Sequence, residues 1–307
     1  MNLNSIIPLD FASKVRWRMK FQRNRIFITL SDKLRVREYA SLYDVKCAPV
    51  LYQTNDPLTI PFESLPDKYM IKANHGWNWN ILHADGLFYD FRGGEDIISS
   101  DGTILNQKLT EKYILSKEEV VDICFKWLNS RHKAGWAYEQ ISPMIFVEPF
   151  LQPADGKELK DYRFYTFNGK VKTISVGSAF YRGNSLDVFF DCNWRVKKLS
   201  VDNRVLPKII PDKPKHFKSM ISKAEALGNN INFVRVDFYD TQEELTLGEI
   251  TLYPMAGKSS LTACPIFNQS LSDEWKLFLG DYFIAFLYSW LIPVKQKAKF
   301  LKRKWAN

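Results

Sequence analysis

The order of segments in this 307-residue chain predicts an α+β fold. Three observations lead to that expectation. Strand-like and helix-like segments are interspersed without strict βαβ alternation. Residues 116–132 form a capped, one-faced helical pattern amid short strands. Residues 233–253 read as two adjacent antiparallel strands joined by a polar turn. The chain is 46% apolar and 15% aromatic, which excludes disorder, and its length suits one large domain or two to three lobes.

Residues 11–43 mix basic and apolar positions at helical spacing, with the triplet Ser31-Asp32-Lys33 expected to cap and open a second helix. A short strand over 47–54 and a proline-punctuated loop then lead into a strand at 68–74. The loop His75–Asn80 and a single strand over 81–91 come next. In the 116–132 helix, Ser116 and Glu119 make a capping box, and Val120, Ile123, Cys124, Trp127 and Leu128 form its apolar face. Short strands are expected at 144–151, 161–167, 170–180, 186–192 and 194–201, followed by a helix over 216–229 that stops at Gly228.

The net charge of +9 suits an acidic partner, but no helix-turn-helix, zinc-finger or RNP signature accompanies it, so nucleic acid is not the expected one. Four scattered cysteines suggest neither a zinc site nor a disulfide framework. No secretory signal opens the chain, so a cytoplasmic location is expected. The apolar stretch 282–294 is too short to span a bilayer. With the basic segment after it, this stretch reads either as a core helix with a solvated tail or as a peripheral contact at the inner membrane face. The Met255–Ser260 stretch ends like a phosphate loop but has Leu252 where the first glycine belongs. The glycine-rich dinucleotide motif, G-x-S-x-G and D-x-D are all missing.

What remains is a pair of acids in apolar strands. If 235–240 and 246–253 are neighbours, Arg235, Asp237 and Tyr239 share one face, as do Glu249, Thr251 and Tyr253. Facing carboxylates need a cation, so either Mg²⁺ lies between them or Asp237 is paired with Arg235 while Glu249 is solvated. Lys72 ends a strand just before a loop containing Gly76 and could place an ammonium on phosphates, and Lys33 is a second candidate. Glu148 sits in an apolar strand that runs into Pro149 and a polar loop. Trp77, Trp79, Trp136 and Trp194 could stack on sugars, though most of the nine tryptophans are expected to pack.

Taken together, "SDKLRVREY", "LPDKYMIKANHGWNWN", "FVEPFL", "DYRFYTFNGK" and "RVDFY…GEITLYP" resemble the ATP-grasp superfamily, in its TupA-like branch, over about residues 30–260. The resemblance implies two α+β lobes clamping ATP, with Mg²⁺ on Asp237 and Glu249. It implies phosphate-binding Lys33 and Lys72, a catalytic Arg235 working with Lys72, an adenine-side Glu148 and hinge backbone at Leu151. The ribose acid would be Asp155 or Asp161, with Asp161 preferred. Gly76 lies in the phosphate-covering loop, which has one glycine instead of several, and His75 would replace the lost amides. Thr251 stands where many members have asparagine, and the N-terminal region is curtailed.

The expected organisation is an N-terminal region 1–60, a small lobe 61–147 and a large lobe 148–307. The implied activity is ATP-dependent carboxylate–amine ligation through an acyl phosphate. It would amidate a uronic acid or amino acid in cell-surface polysaccharide biosynthesis, with an amine as second substrate. A glycosyltransferase, a kinase on the same fold and a nucleotide-binding structural protein are the alternatives.

Overall fold

The computed structural model describes residues 8, 10–90, 114–131, 135–151, 159–178, 187–199, 210–241, 244–258, 264–283 and 287. The basic C-terminal segment, Asp155 and most of the apolar stretch 282–294 lie outside them. Among the described residues, no helix is long and apolar enough to cross a membrane.

The α+β expectation holds, and the strands form two sheets. Three helices come first: α1 (Phe11–Phe21), α2 (Ile26–Ser31) and α3 (Val36–Ser41). The predicted cap is displaced: α2 ends at Ser31, and Asp32 receives the amides of Leu34 and Arg35 in the turn before α3. The 47–54 segment is not one strand. β1 (Lys46–Cys47) runs parallel to the last strand of one sheet, and β2 (Tyr52–Thr54) pairs in the other, so residues 48–51 cross between them.

The six-stranded sheet comprises β2, β3 (Tyr69–Ala73), β4 (Asn80–Ala84), β5 (Leu87–Asp90), β6 (Ile114–Leu115) and β7 (Ile145–Pro149), in the order β2-β7-β3-β4-β5-β6. The predicted single strand over 81–91 is a hairpin. Asp85 (φ 53°) and Gly86 (φ 76°) both take left-handed backbone, as a tight two-residue turn between strands requires. Helix α4 (Lys117–Leu128) carries the predicted reciprocal cap between Ser116 and Glu119. Its Val120, Ile123, Cys124 and Trp127 pack on Tyr69, Ile71, Ala73, Ile145 and Val147, which project from one face of the sheet by period two. The alternate positions Met70, Lys72, Phe146 and Glu148 therefore line the face away from α4.

After the short helix α5 (Trp136–Glu139), the seven-stranded sheet adds β8 (Lys160–Phe167), β9 (Lys170–Ser178), β10 (Val188–Phe190), β11 (Val196–Lys197), β12 (Val234–Asp240) and β13 (Leu245–Thr251). Its order is β1-β13-β12-β8-β9-β10-β11. Helix α6 (Phe217–Leu227) buries Phe217, Met220, Ala224 and Leu227 in the main core with Phe164, Ile174, Val234, Val236 and Phe238. Helix α7 (Pro265–Glu274) covers part of the opposite face, where Phe267 meets Tyr165 and Phe189 edge-on or tilted. The rest of that face is polar.

One buried residue of α1 went unremarked in the sequence. Arg18 is fully buried, yet its four acceptors are neutral: the carbonyls of Phe233 (2.7 Å) and Leu252 (3.3 Å), Asn232 Oδ1 and Gln22 Oε1 (2.9 Å). Its guanidinium lies 4.4 Å from the Trp275 ring centroid. Arg18 thereby ties α1 to the start of β12 and the end of β13.

Candidate active site

The β12–β13 hairpin pairs Arg235 with Thr251 and Asp237 with Glu249, so all four side chains share one face. A bulge follows, where Gly248 is the extra residue; a Cβ there would lie 2.7 Å from the Tyr239 ring, so the close packing of that ring requires glycine. The cation between the acids is Arg235 itself. It donates to Asp237 Oδ1 (Nε, 2.8 Å) and Oδ2 (Nη2, 2.5 Å), to Glu249 Oε1 (3.0 Å) and to Thr251 Oγ1 (3.1 Å). The simple pairing of Asp237 with Arg235 is therefore present. Glu249, expected to be solvated in that case, is bridged as well.

Strand β8 extends this row. Arg163, in register with Asp237, donates to Asp161 Oδ2 (2.9 Å) and to Asp187 Oδ2 (2.6 Å). Asp187 packs over Gly177, where a Cβ would come within 2.3 Å of its Oδ1. Four carboxylates thus share two guanidiniums, and Oδ1 of both Asp161 and Asp187 is buried without a hydrogen-bond partner. The electrostatics record that imbalance. Burial, reinforced by Asp161 and Glu249 and opposed by Arg235, pushes Asp237 up to about 8. Burial also raises Asp161 against the pull of Arg163 and Arg235. Glu249 goes the other way: burial would raise it, but Arg235 and Lys33 outweigh that and hold it below its ordinary value.

This donor set fits Mg²⁺ in chemistry. The oxygens are hard, and the face carries more carboxylate than guanidinium. Among the described residues there is no group of three His, Cys, Asp or Glu arranged to hold a metal. An ion here would take Asp237 and Glu249 and complete its shell from phosphate and water, the usual habit of Mg²⁺.

The face of the six-stranded sheet away from α4 supplies the cations. Lys72 pairs with Glu148 Oε1, and Arg37 Nη2 donates to Glu148 Oε2 at 2.6 Å. Both oxygens of the predicted adenine-side acid are thus engaged by cations. Lys33 ties the turn before α3 to the loop between β3 and β4: its amide donates to the Asn74 carbonyl (3.1 Å), and its ammonium donates to the Gly76 carbonyl. That ammonium senses Glu249 from one sheet and Lys72 and Glu148 from the other, and burial brings it down to about 8. Lys33, Lys72, Glu148 and Glu249 therefore lie in one electrostatic neighbourhood.

Other expected residues stand differently. His75 is 1% exposed and does not face a ligand: Nδ1 meets Asn74 Oδ1 (3.0 Å), and Nε2 meets the carbonyls of Trp127 (3.1 Å) and Ser130 (3.3 Å). It braces the loop against α4, so its expected role in replacing amides is corrected. The absence of a side chain at Gly76 is explained by Trp79, whose ring a Cβ would approach to 2.1 Å. Asp161 belongs to the carboxylate row described above, and half-buried Leu151 follows β7. Of the sugar-stacking candidates, Trp79 stacks on Trp127 and Trp194 on Phe190, while Trp77 is 69% exposed. Arg37, Arg163 and Asp187 were not anticipated. Asp161-x-Arg163 repeats the alternation of Arg235-x-Asp237, a signal that period two could have shown.

A family model described as TupA-like ATP-grasp matches residues 13–284. The chain belongs to the TupA-like ATP-grasp family. Among curated proteins, no sequence matches it. Similar solved structures include D-alanine–D-alanine ligase from Helicobacter pylori, with 13% identity and a TM-score of 0.43, covering 89% of this chain and 70% of that one. N5-carboxyaminoimidazole synthetase from Staphylococcus aureus complexed with ADP gives 12%, 0.40, 81% and 53% for the same quantities. D-alanine–D-alanine ligase from Bacillus anthracis complexed with ATP gives 11%, 0.38, 73% and 54%. The chain spans about half the length of the latter two. At these scores the likenesses bear no weight for the chemistry.

Proposed function

We propose that this TupA-like ATP-grasp protein is an ATP-dependent ligase that joins a carboxylate to an amine, with the two sheets as the walls of its nucleotide cleft. The supporting observation is that Asp237 and Glu249, in register around Arg235, share an electrostatic neighbourhood with Lys33, Lys72 and Glu148 of the facing elements. Family membership supports ATP and Mg²⁺ as the ligands of that cleft.

In this reading a substrate carboxylate oxygen attacks the γ-phosphorus of ATP, ADP leaves, and an acyl phosphate forms. The amine nitrogen then attacks the acyl carbon, phosphate departs, and the nitrogen loses a proton. Phosphorylation turns a poor leaving group into a good one. Lys72, on exchanging Glu148 for phosphate, offsets negative charge on the transferring group, and Arg235 holds the carboxylate pair in register and faces the same charge. Asp237 and Glu249 would hold Mg²⁺, which would supply neutralisation of phosphate charge. Lys33, anchored to the Gly76 carbonyl, keeps the loop against the cleft and limits the access of water to the acyl phosphate.

The acid is proposed to be a uronic acid or amino acid of cell-surface polysaccharide biosynthesis, handled in the cytoplasm or at its membrane face. The basic surface suits such acidic substrates. The two lobes are proposed to be built on the two sheets, the boundary falling after β7 at Pro149 and not inside it at 147/148, with the ribose acid at Asp161 and the hinge backbone at Leu151. The test is ADP release with uronic acids and amino acids supplied singly and in acid–amine pairs, using Glu249→Gln as the blank. Release that requires both partners supports ligation. Release with a hydroxyl acceptor alone and a stable phosphorylated product would identify a kinase instead.

A further inference from the structure

The seven-stranded sheet has a second concavity, at the edge where β8 ends and β12 begins. It encloses about 800 Å³, within the range of small-molecule sites. Six carboxamides line it: Gln22, Asn24, Asn168, Asn229, Asn230 and Asn232. Exposed Phe278 supplies its accessible apolar wall, with Trp17, Phe21 and Phe27 packed almost wholly buried behind the lining.

Charge is nearly spent in this cavity. Arg23 gives its guanidinium to the carbonyls of Met19 (3.2 Å), Gln22 (3.0 Å) and Lys20 (2.6 Å). Asp281 accepts from Gln22 Nε2 (3.2 Å) and from the Phe278 amide (2.9 Å). The pair carries opposite charges, so neither anions nor cations are selected. The amides of Asn168, Asn229 and Asn230, by contrast, make no side-chain hydrogen bond among the described residues. The Trp17 Nε1–H in the same wall is buried without an acceptor. Left-handed backbone accounts for asparagine at 168 (φ 48°) and 230 (φ 60°), but not for Asn229.

A carboxamide offers a donor and an acceptor side by side, which matches a hydroxyl group that is both. An accessible aromatic ring, here Phe278, matches the C–H face of a pyranose ring. We propose that this cavity binds a neutral sugar unit, apart from the carboxylate site and independently of what that site catalyses. Its chemistry differs from that of the cleft: amides and aromatics here, ionic groups there.

The experiment uses the full chain. Calorimetry and saturation-transfer NMR are run against glucose, galactose, N-acetylglucosamine and their neutral disaccharides, with glucuronic acid as the charged control. The variant Asn168→Gly/Asn229→Ala/Asn230→Gly removes three amides while glycine keeps the two left-handed positions open. Saturable binding of at least one neutral sugar, weakened at least about tenfold in the variant with an unchanged circular dichroism spectrum, is the expected result. If the triple variant does not fold, Asn229→Ala alone, at an exposed position, is expected to weaken binding measurably. The proposal is overturned if no neutral sugar saturates, if affinity is unchanged by the substitutions, or if glucuronic acid binds as tightly as glucose.

Discussion

Replacing Arg235 by methionine tests the electrostatic account of the carboxylate row without reference to turnover. Methionine keeps a comparable stem but removes five hydrogen bonds, four to carboxylate oxygens and one to a hydroxyl. Asp237 is 2% exposed at its side chain and Glu249 35%, so Asp237 cannot turn to water. Removing one partner of a buried ion pair typically costs about 3–5 kcal/mol; the half-open Glu249 places the expected loss near the lower end, about 3 kcal/mol. Adding Asp237→Asn removes the stranded acid, so above about pH 8, where that acid would otherwise be charged, the double variant should regain about 1–2 kcal/mol over Arg235→Met. Lowering the pH from the alkaline side should help the single variant by protonating Asp237, raised to about 8 even with its cation in place, and at lower pH by protonating Glu249. Urea midpoints at constant m-value measure both effects. Losses that simply add in the double variant, or a single variant indifferent to pH, would refute the claim that Arg235 neutralises both acids.

Glu148 makes a pH prediction. Burial would raise it, but Lys72 and Arg37 outweigh burial and hold it below its ordinary value. The stability it contributes is therefore complete above the unfolded carboxyl value of about 4.3 and disappears as pH falls through its lower folded value. Glu148→Gln should cost about 3 kcal/mol near neutrality, with the gap to wild type closing below about pH 4; denaturation midpoints across that range check it. Ser116→Ala should cost about 1 kcal/mol, read as a fall in melting temperature, because the hydroxyl caps the Glu119 amide at 3.2 Å. Gly86→Ala meets no atom within 4 Å, so its cost should be the left-handed strain alone, about 1 kcal/mol; Gly86→Asn should recover most of it in the same melting assay.

The parts of the site legible in the sequence are those set by local rules. Asp237 meets Glu249 because both lie in one hairpin, where a short turn fixes the register and period two fixes the face. The α4 cap was readable for the same reason: Ser116 and Glu119 are three residues apart. The hairpin at Asp85-Gly86 should have been readable too, since that dipeptide is a strong turn signal, but apolar residues on both sides hid it within one apparent strand. At 48–51 the chain changes sheets without changing texture, and nothing in its pattern marks the crossing.

What periodicity could not show is pairing between distant segments. Glu148 is held by Lys72, 76 residues away, and by Arg37, 111 residues away. Arg18 reaches acceptors more than 200 residues along the chain. His75 looked like a ligand because it sits beside the loop glycine, yet α4 arrives from another part of the chain and takes its ring. The same limit explains how Asp237 and Glu249 could be read correctly as a pair while their neutralising cation stayed undecided. The hairpin sets which side chains face each other, but the sheet neighbours set the charge balance. Asp161 and Arg163 enter through β8 and Asp187 just before β10, and with them the face gains one guanidinium and two further carboxylates. Arg235 therefore answers the local question of what separates Asp237 from Glu249, while the row as a whole still holds more acid than base. That residual acidity, not the isolated pair, is the physical reason a divalent cation suits this face.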